Sequence, residues 1–110
     1  MELGSDQFAL ERRYGRVLVT LIGEFDDFNV DELEGSLNAA LDGSADAVEL
    51  DTTKVTYLSS TALRALIAFH DAAAARQVTV TIPRASYVVR RLLEVVGLSS
   101  MFGMSSRDGG

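Results

Sequence analysis

The residues best placed for chemistry are three consecutive hydroxyl side chains, Ser59, Ser60 and Thr61. They stand directly before a segment in which apolar residues recur at helical spacing, beginning at Leu63. Hydroxyl oxygens at such a position accept hydrogen bonds from the first unpaired N–H groups of a helix. The same helix end carries partial positive charge, which favours an anion. A serine here can therefore cap the helix or accept a phosphate group, and the residues alone leave both roles open.

A second candidate is the carboxylate pair Asp26 and Asp27, which follows a predicted strand, as Asp51 follows another. Functional residues of α/β domains gather at strand ends. Paired carboxylates there can bind a metal ion or transfer protons. Two acids before a helix can also complement the helix dipole while they remain in water. From the residues alone we favour this second, structural interpretation.

Other catalytic chemistry has little support in the sequence. The single histidine, His70, lies on or beside the apolar stripe of the central helix, which favours a half-buried structural imidazole. It is ten residues after Ser60, about 15 Å along a helix axis, which is too far for a Ser–His pair. The chain has no cysteine, no His/Cys cluster and no glycine-rich phosphate loop. We therefore predict no enzyme activity, no catalytic residue, no metal and no cofactor.

The composition indicates one soluble globular domain. The 110 residues suffice for a core, and 47% of them are apolar and 24% charged. The formal net charge of −6 opposes binding to nucleic acids and to anionic membranes. No apolar run approaches the ~20 residues that span a bilayer, and no signal peptide is apparent. We expect a cytoplasmic protein that neither binds nucleic acid directly nor inserts into a membrane.

Strand-like and helix-like segments alternate along the chain. The predicted strands are 8–13, 16–22, 47–51 and 77–82, and the predicted helices are 30–41, 60–76 and one that lies between Ser86 and Gly97. This order predicts an α/β domain over residues 8–103, with a mixed, mostly parallel β-sheet packed with α-helices. Segments 1–7 and 104–110 are predicted to be a flexible lead-in and a flexible tail.

Local signals set the boundaries within this pattern. We predict a break in the strand at Gly23, a capping box formed by Asn29 and Glu32, a loop over 52–54, a strand end at Pro83, a helix cap at Ser86 and a helix end at Gly97. After the last helix, Leu98 and Phe102 are expected to fold back on the core.

Three local patterns, taken in order, support a comparison with a known family. Leu21–Asp26 ends in Gly-Glu-Phe-Asp, Val48–Asp51 is followed by the run Val55–Leu63, and Val88–Leu98 contains a late Gly-Leu. Together they resemble the STAS family, particularly the bacterial anti-sigma factor antagonists. That family has a Gly-Glu-hydrophobic-Asp run, then hydrophobic-Asp-Ser-Ser-Gly-Leu, and a closing helix with Gly-Leu. The resemblance covers roughly residues 8–102; each pattern is weak alone, whereas their order and spacing are fairly specific.

The resemblance implies roles for individual residues. Ser60 matches the serine that the family phosphorylates, and Asp26 matches an acidic position that helps to engage the partner kinase. Asp26, Ser59, Ser60 and Thr61 are therefore the partner-binding residues that the resemblance implies. The chain departs from the family pattern at three places: Ser59 replaces an Asp, Thr61 replaces the second Ser, and Ala62 replaces the Gly.

The resemblance also implies a mechanism, which is partner switching. An unmodified antagonist binds an anti-sigma factor, itself a serine kinase, and so frees the sigma factor. Phosphorylation of the serine ends this binding, and a serine phosphatase restores it. Other STAS domains are constitutive subunits of transporters, including lipid-importing ABC systems, in which they dock on the ATPase. A kinase partner would modify Ser60, whereas a structural subunit would be indifferent to its hydroxyl.

Overall fold

The structure, a computed structural model, describes residues 2–4, 7–43 and 45–104. Its elements, in chain order, are β1 (Glu2–Gly4), β2 (Phe8–Arg13), β3 (Arg16–Phe25), α1 (Val30–Ala40), β4 (Ala47–Leu58), α2 (Ser60–Ala75), β5 (Thr79–Ala85), α3 (Tyr87–Val96) and a short 3-10 helix (Ser100–Phe102). The predicted single α/β domain is confirmed.

The strands form one sheet in the order β1-β2-β3-β4-β5. β2 runs antiparallel to both of its neighbours, and the pairs β3–β4 and β4–β5 are parallel. Because α1 connects β3 to β4 and α2 connects β4 to β5, both parallel connections are helical crossovers. The prediction of a mixed, mostly parallel sheet is therefore confirmed. The carboxyl ends of β3, β4 and β5 all point the same way, which is where sites of such sheets form.

One face of the sheet carries the hydrophobic core. Along β3, buried Val17, Val19 and Leu21 alternate with more exposed residues, the two-residue period of a strand with one covered face. The buried positions coincide across strands, since Val17 pairs with Val48 and Val19 with Leu50. The helices contribute to the same core through Leu33 and Leu37 of α1, Leu63, Leu66 and Phe69 of α2, and Val89 and Leu93 of α3.

The strands β3 and β4 are longer than predicted. Gly23 does not end β3; it adopts a φ of +96°, and the strand continues to Phe25. The predicted loop over 52–54 is also wrong, because β4 continues through it to Leu58. Thr20–Phe25 pairs with Asp51–Leu58 through two register shifts, so β4 holds extra residues as bulges. The bulges accommodate the polar residues 52–54 within β4. From the sequence alone, the same residues predicted a loop.

The predicted strand end at Pro83 is wrong for a related reason. β5 starts at Thr79 and continues to Ala85, and it is an edge strand. Its pairing with β4 shifts register between the positions of Thr81 and Arg84. A proline, which lacks an N–H to donate, is tolerated on an edge strand and at a bulge.

The signals around α3 are confirmed. The Ser86 hydroxyl oxygen accepts a hydrogen bond from the Val89 N–H at 3.2 Å. Gly97 ends the helix with a left-handed φ of +77°, which glycine adopts without steric cost. Phe102 is fully buried and Leu98 is partly buried against the core, so the chain folds back after α3 as predicted.

The segment 1–7, expected to be a flexible lead-in, contributes the edge strand β1, and the Gln7 carbonyl accepts from the Ile22 N–H at 2.9 Å. In the segment expected to be a flexible tail, Met104 is partly buried and donates its N–H to the Ser99 carbonyl at 2.9 Å. Residues 1, 5, 6 and 105–110 of these two segments lie outside the described residues.

Within the described part of the chain, no helix combines the length and the apolar character needed to cross a lipid bilayer.

The core placement of α2 can be tested at Leu66, whose exposed fraction is 1%. We expect Leu66→Ala to lower the free energy of unfolding by about 2–5 kcal/mol, because it removes buried methyl groups and leaves a cavity. Urea denaturation measures this loss. The control is Ala72→Gln at an exposed position of the same helix, with an expected change within about 0.5 kcal/mol. Equal midpoints for the two variants would contradict the placement.

Candidate functional site

The ends of β3 and β4 bring the predicted site residues to one edge of the sheet. Phe25 pairs with Leu58, and the Ser59 N–H donates a hydrogen bond to the Phe25 carbonyl at 2.9 Å. Asp26 directly follows the first of these strands, and Ser60 begins the helix after the second. Residues that are more than thirty positions apart in the sequence therefore lie on adjacent strand ends.

The three hydroxyl residues have different roles in the structure. Ser59 occupies the N-cap position of α2 with an extended backbone, and its side-chain oxygen accepts from the Ala62 N–H at 3.1 Å. Ser60 is the first helical residue and is exposed, whereas Ser59 and Thr61 are half-buried. The Ser60 hydroxyl makes no hydrogen bond within the described residues. Ser59 therefore takes the capping role, and Ser60 presents a free hydroxyl to solvent.

The Asp26 carboxylate is held by its own loop. One oxygen, Oδ1, accepts a hydrogen bond from the Phe28 N–H at 2.9 Å. The Asp26 N–H donates to the Asn29 side-chain oxygen, also at 2.9 Å. Asp26 is half-buried, and the adjacent Asp27 is exposed. Because only Oδ1 is engaged within the described residues, the second oxygen of Asp26 is free to contact a partner.

Two residues hold this loop in place: Gln7, which the sequence analysis did not single out, and Asn29, for which it predicted a different role. The Asn29 amide nitrogen donates to the Glu24 carbonyl at 2.8 Å and lies 3.4 Å from the Gln7 side-chain oxygen. The Gln7 amide nitrogen donates to the same Glu24 carbonyl at 2.9 Å. Asn29 is at the N-cap position of α1 but makes no side-chain cap bond, so the predicted capping box with Glu32 is wrong. Its amide is used by the loop before the helix instead.

The sequence indicated only part of this hydrogen-bond arrangement. Asn29 belongs to a residue type that favours helix starts, but nothing local indicated that the Glu24 carbonyl would compete for its amide. The contact between Gln7 and Glu24 spans 17 positions and depends on the pairing of β2 with β3, which no local pattern specifies.

Asp51 and His70 have structural roles. Asp51 Oδ1 accepts from both the N–H and the hydroxyl of Thr53, at 3.0 and 2.7 Å, so this carboxylate orders the bulge in β4. The His70 ring packs edge-on against Phe102, with 5.5 Å between the ring centroids. The half-buried structural imidazole is confirmed, since 24% of its side chain is exposed.

The site is a surface of mixed character. Phe28, two residues after Asp26, is 97% exposed, and Tyr57, which pairs with Glu24, is 51% exposed. Exposed aromatic rings are enriched where proteins bind one another. Two open surface cavities, of about 480 and 470 Å³, lie elsewhere, and none of the four predicted binding residues lines either of them. The site is therefore an exposed surface that carries two accessible aromatic rings.

The net charge of the chain changes sign along the sequence between Asp26 and Ser60. Residues 17–53 contain ten acidic and no basic side chains, whereas residues 54–104 contain six basic and two acidic ones. Asp26 belongs to the first segment and Ser60 to the second. Among the described residues, no group of three or more His, Cys, Asp or Glu side chains is placed to hold a metal ion.

The division of roles between the two serines predicts different stabilities for matched variants. Ser59→Ala removes the cap bond and should lower the free energy of unfolding by about 1 kcal/mol. Ser60→Ala removes an unbonded hydroxyl and should change it by less than about 0.5 kcal/mol. Chemical denaturation of the two variants beside the parent measures both values. A Ser60→Ala loss as large as that of Ser59→Ala would reverse the assignment of the cap.

Known structures share this fold. An anti-sigma factor antagonist from Mycobacterium paratuberculosis superimposes with a TM-score of 0.80 at 22% identity, covering 96% of this chain and 92% of that one. The anti-sigma factor antagonist SpoIIAA in its unphosphorylated form gives 0.67 at 19% identity, covering 91% and 89%. A sulfate transporter family protein from Wolinella succinogenes gives 0.70 at 20% identity, covering 83% and 74%. At these low identities, the superpositions show a common fold.

No curated protein sequence matches the chain significantly. The sequence model of the STAS domain, however, matches residues 7–107, which is nearly the whole chain and includes both strand ends and the start of α2. The chain belongs to the STAS domain family.

Proposed function

We propose that this protein is an anti-sigma factor antagonist, which binds an anti-sigma factor with serine kinase activity and is released from it by phosphorylation of Ser60. The observation that carries the proposal is the state of the Ser60 side chain. It is exposed, it makes no hydrogen bond within the described residues, and it lies beside a serine that already caps the helix. A kinase can therefore modify it without competing with a structural role.

The docking surface of the proposal is the edge formed by the ends of β3 and β4. It comprises Asp26, Ser59, Ser60 and Thr61, with the exposed rings of Phe28 and Tyr57 beside them. The rings supply apolar contact area, which dominates the affinity of most protein interfaces. The charged groups contribute mainly to the orientation and the rate of association. STAS relatives named as anti-sigma factor antagonists support a protein as the partner.

Phosphorylation would act here through charge and hydration. The phosphoryl group moves from ATP to the Ser60 oxygen, the hydroxyl proton leaves and ADP is released. The new group carries about −1.5 to −2 charges at neutral pH. It stands next to the acids that follow β3, so the local negative charge rises, and any dry interface would have to desolvate it. The positive end of α2 accommodates the phosphate locally, so binding weakens while the fold is kept.

Under this proposal the chain has no enzymatic role, and its action in the cytoplasm requires no cofactor or metal. The kinase supplies ATP, and a separate serine phosphatase removes the phosphate to restore binding. The chain itself contributes a surface, a hydroxyl and a charge distribution.

The direct test is modification by the kinase. A Ser60→Ala protein used as bait should retain an anti-sigma kinase from cells of the source organism, because this variant cannot be released by phosphorylation. The purified kinase with ATP should then phosphorylate the parent protein at Ser60, as peptide mass mapping would show. Ser59→Ala is the matched control and should still be modified at Ser60.

Binding measurements complete this test. By isothermal calorimetry, Ser60→Ala should bind with the affinity of the parent, and Ser60→Asp should bind about tenfold more weakly, or about 1.4 kcal/mol, since one carboxylate only partly imitates a phosphate. Phosphate on Ser59 or Thr61 would move the site. No phosphate on any of the three, together with normal binding by Ser60→Asp, would reject the proposal.

The role of Asp26 is tested by removing its charge while keeping its loop. Asp26→Asn keeps an oxygen that can accept from the Phe28 N–H, so the melting temperature should change little. Affinity for the anti-sigma factor should fall about tenfold, or about 1.4 kcal/mol. Asp27→Asn, which removes the same charge from the exposed neighbour, is the control. Equal losses from both variants would indicate a general charge effect rather than a contact at Asp26.

A second candidate is a constitutive subunit of a transporter, such as a lipid-importing ABC system, docked on its ATPase. Two sequence departures favour it: Ser59 stands where the family's phosphorylated members have Asp, and Ala62 where they have Gly. Under this function Ser60→Asp and Ser60→Ala would assemble equally well, and the bait would retain an ATPase instead of a kinase.

A further inference from the structure

A cation follows Ser60 by about one turn on the same helix. Ser60 is the first residue of α2, and Arg64 follows four positions later. Residues four apart on a helix are surface neighbours, with about 5–6 Å between their Cβ atoms, and an acid placed before a base is the favourable order. Both residues are exposed. A phosphate on Ser60 would therefore be within reach of the Arg64 guanidinium.

Arg64 is available for such a contact. Its side chain makes no hydrogen bond and no ion pair within the described residues. Other arginines are engaged: Arg12 donates to the Ala39 carbonyl at 2.7 Å, and Arg16 pairs with Glu49 at 2.7 Å. Arg64 would therefore lose no contact within the described residues if it paired with a phosphate.

The charges around Ser60 make a nearby cation important. The neighbouring strand end carries the acids Glu24, Asp26 and Asp27, and α1, which contacts α2, carries further acids in its first turn. Within residues 55–75, Arg64 is the one lysine or arginine. A dianion placed on Ser60 would be repelled by these acids, and Arg64 is the group on its own helix that offsets the repulsion.

We infer that Arg64 is a positioning residue that pairs with the phosphate of phosphorylated Ser60 and holds it against the first turns of α2. The inference rests on the proposed phosphorylation of Ser60. Guanidinium groups bind phosphate oxygens through two parallel N–H donors. The pairing fixes the phosphate on the docking edge, and it withdraws the exposed cation Arg64 from any acidic surface of the partner. Phosphorylation then adds the negative charge of the phosphate to the interface and at the same time makes the positive charge of Arg64 unavailable to the partner.

The test uses protein with phosphoserine incorporated genetically at position 60, so no kinase is needed. The second ionisation of the phosphate, which has a pKa near 6, is followed by 31P NMR titration. Arg64→Gln should raise this pKa by about 0.2–0.4 units, because the dianion loses a stabilising pair of helical i,i+4 strength. Arg64→Lys should restore most of the shift. The helix end is the same in every variant, so the comparison isolates the side chain at position 64.

Arg76→Gln is the matched control, since this exposed arginine lies at the far end of α2. It should leave the phosphate pKa unchanged. An equal shift from Arg64→Gln and Arg76→Gln would reduce the effect to net charge and overturn the inference, as would no shift from Arg64→Gln. Either result would stand whether or not a kinase modifies Ser60, so it is distinguishable from failure of the proposed function.

Discussion

The pairing of the β3 end with the β4 end is the constraint on which the candidate site depends. A single backbone hydrogen bond, from the Ser59 N–H to the Phe25 carbonyl at 2.9 Å, fixes the start of α2 beside the loop that carries Asp26. The bulges in β4 matter for the same reason, because they let its polar middle segment stay in the sheet until Leu58. If that segment were the loop predicted from the sequence, the start of α2 would lack this anchor. The geometry of the site is therefore set by strand pairing rather than by the helix.

Capping and presentation are divided between two adjacent residues with identical side chains. The Ser59 oxygen is used by the Ala62 N–H, so a phosphate on Ser59 would compete with a bond that stabilises the helix by about 1 kcal/mol. Ser60, one position later, faces solvent and has no such bond. Replacement of an acid by Ser59, relative to the family's phosphorylated members, keeps a side chain that can accept at the cap, because serine and aspartate are both favourable N-cap residues. The departure thus removes a charge without removing the cap.

Periodicity in the sequence was sufficient for the α/β class, the three helices and the side of α2 that is buried, since burying one face imposes these patterns. Periodicity failed to predict the features that depend on contacts between elements. Pro83 and the polar run 52–54 look like strand breakers locally, but an edge position and bulges accommodate them. Asn29 looks like a cap, but its amide goes to the Glu24 carbonyl. The resemblance supplied Asp26 and Ser60, whereas the contact of Gln7 could emerge only from the pairing of β2 with β3.

The charge distribution gives the edge a property that neither half of the chain has alone. Residues 17–53 are entirely acidic among their charged side chains, and residues 54–104 are mainly basic, so Asp26 and Ser60, which lie on adjacent strand ends, belong to segments of opposite charge. A partner that contacts both segments would meet charges of both signs, and matching them favours specificity over affinity. A phosphate on Ser60 would add negative charge to a neutral position that lies beside the acids that follow β3. Ser60 is exposed and unbonded beside these acids, so the proposed phosphorylation would change the charge of the surface while the buried strand pairing beneath it stays unchanged.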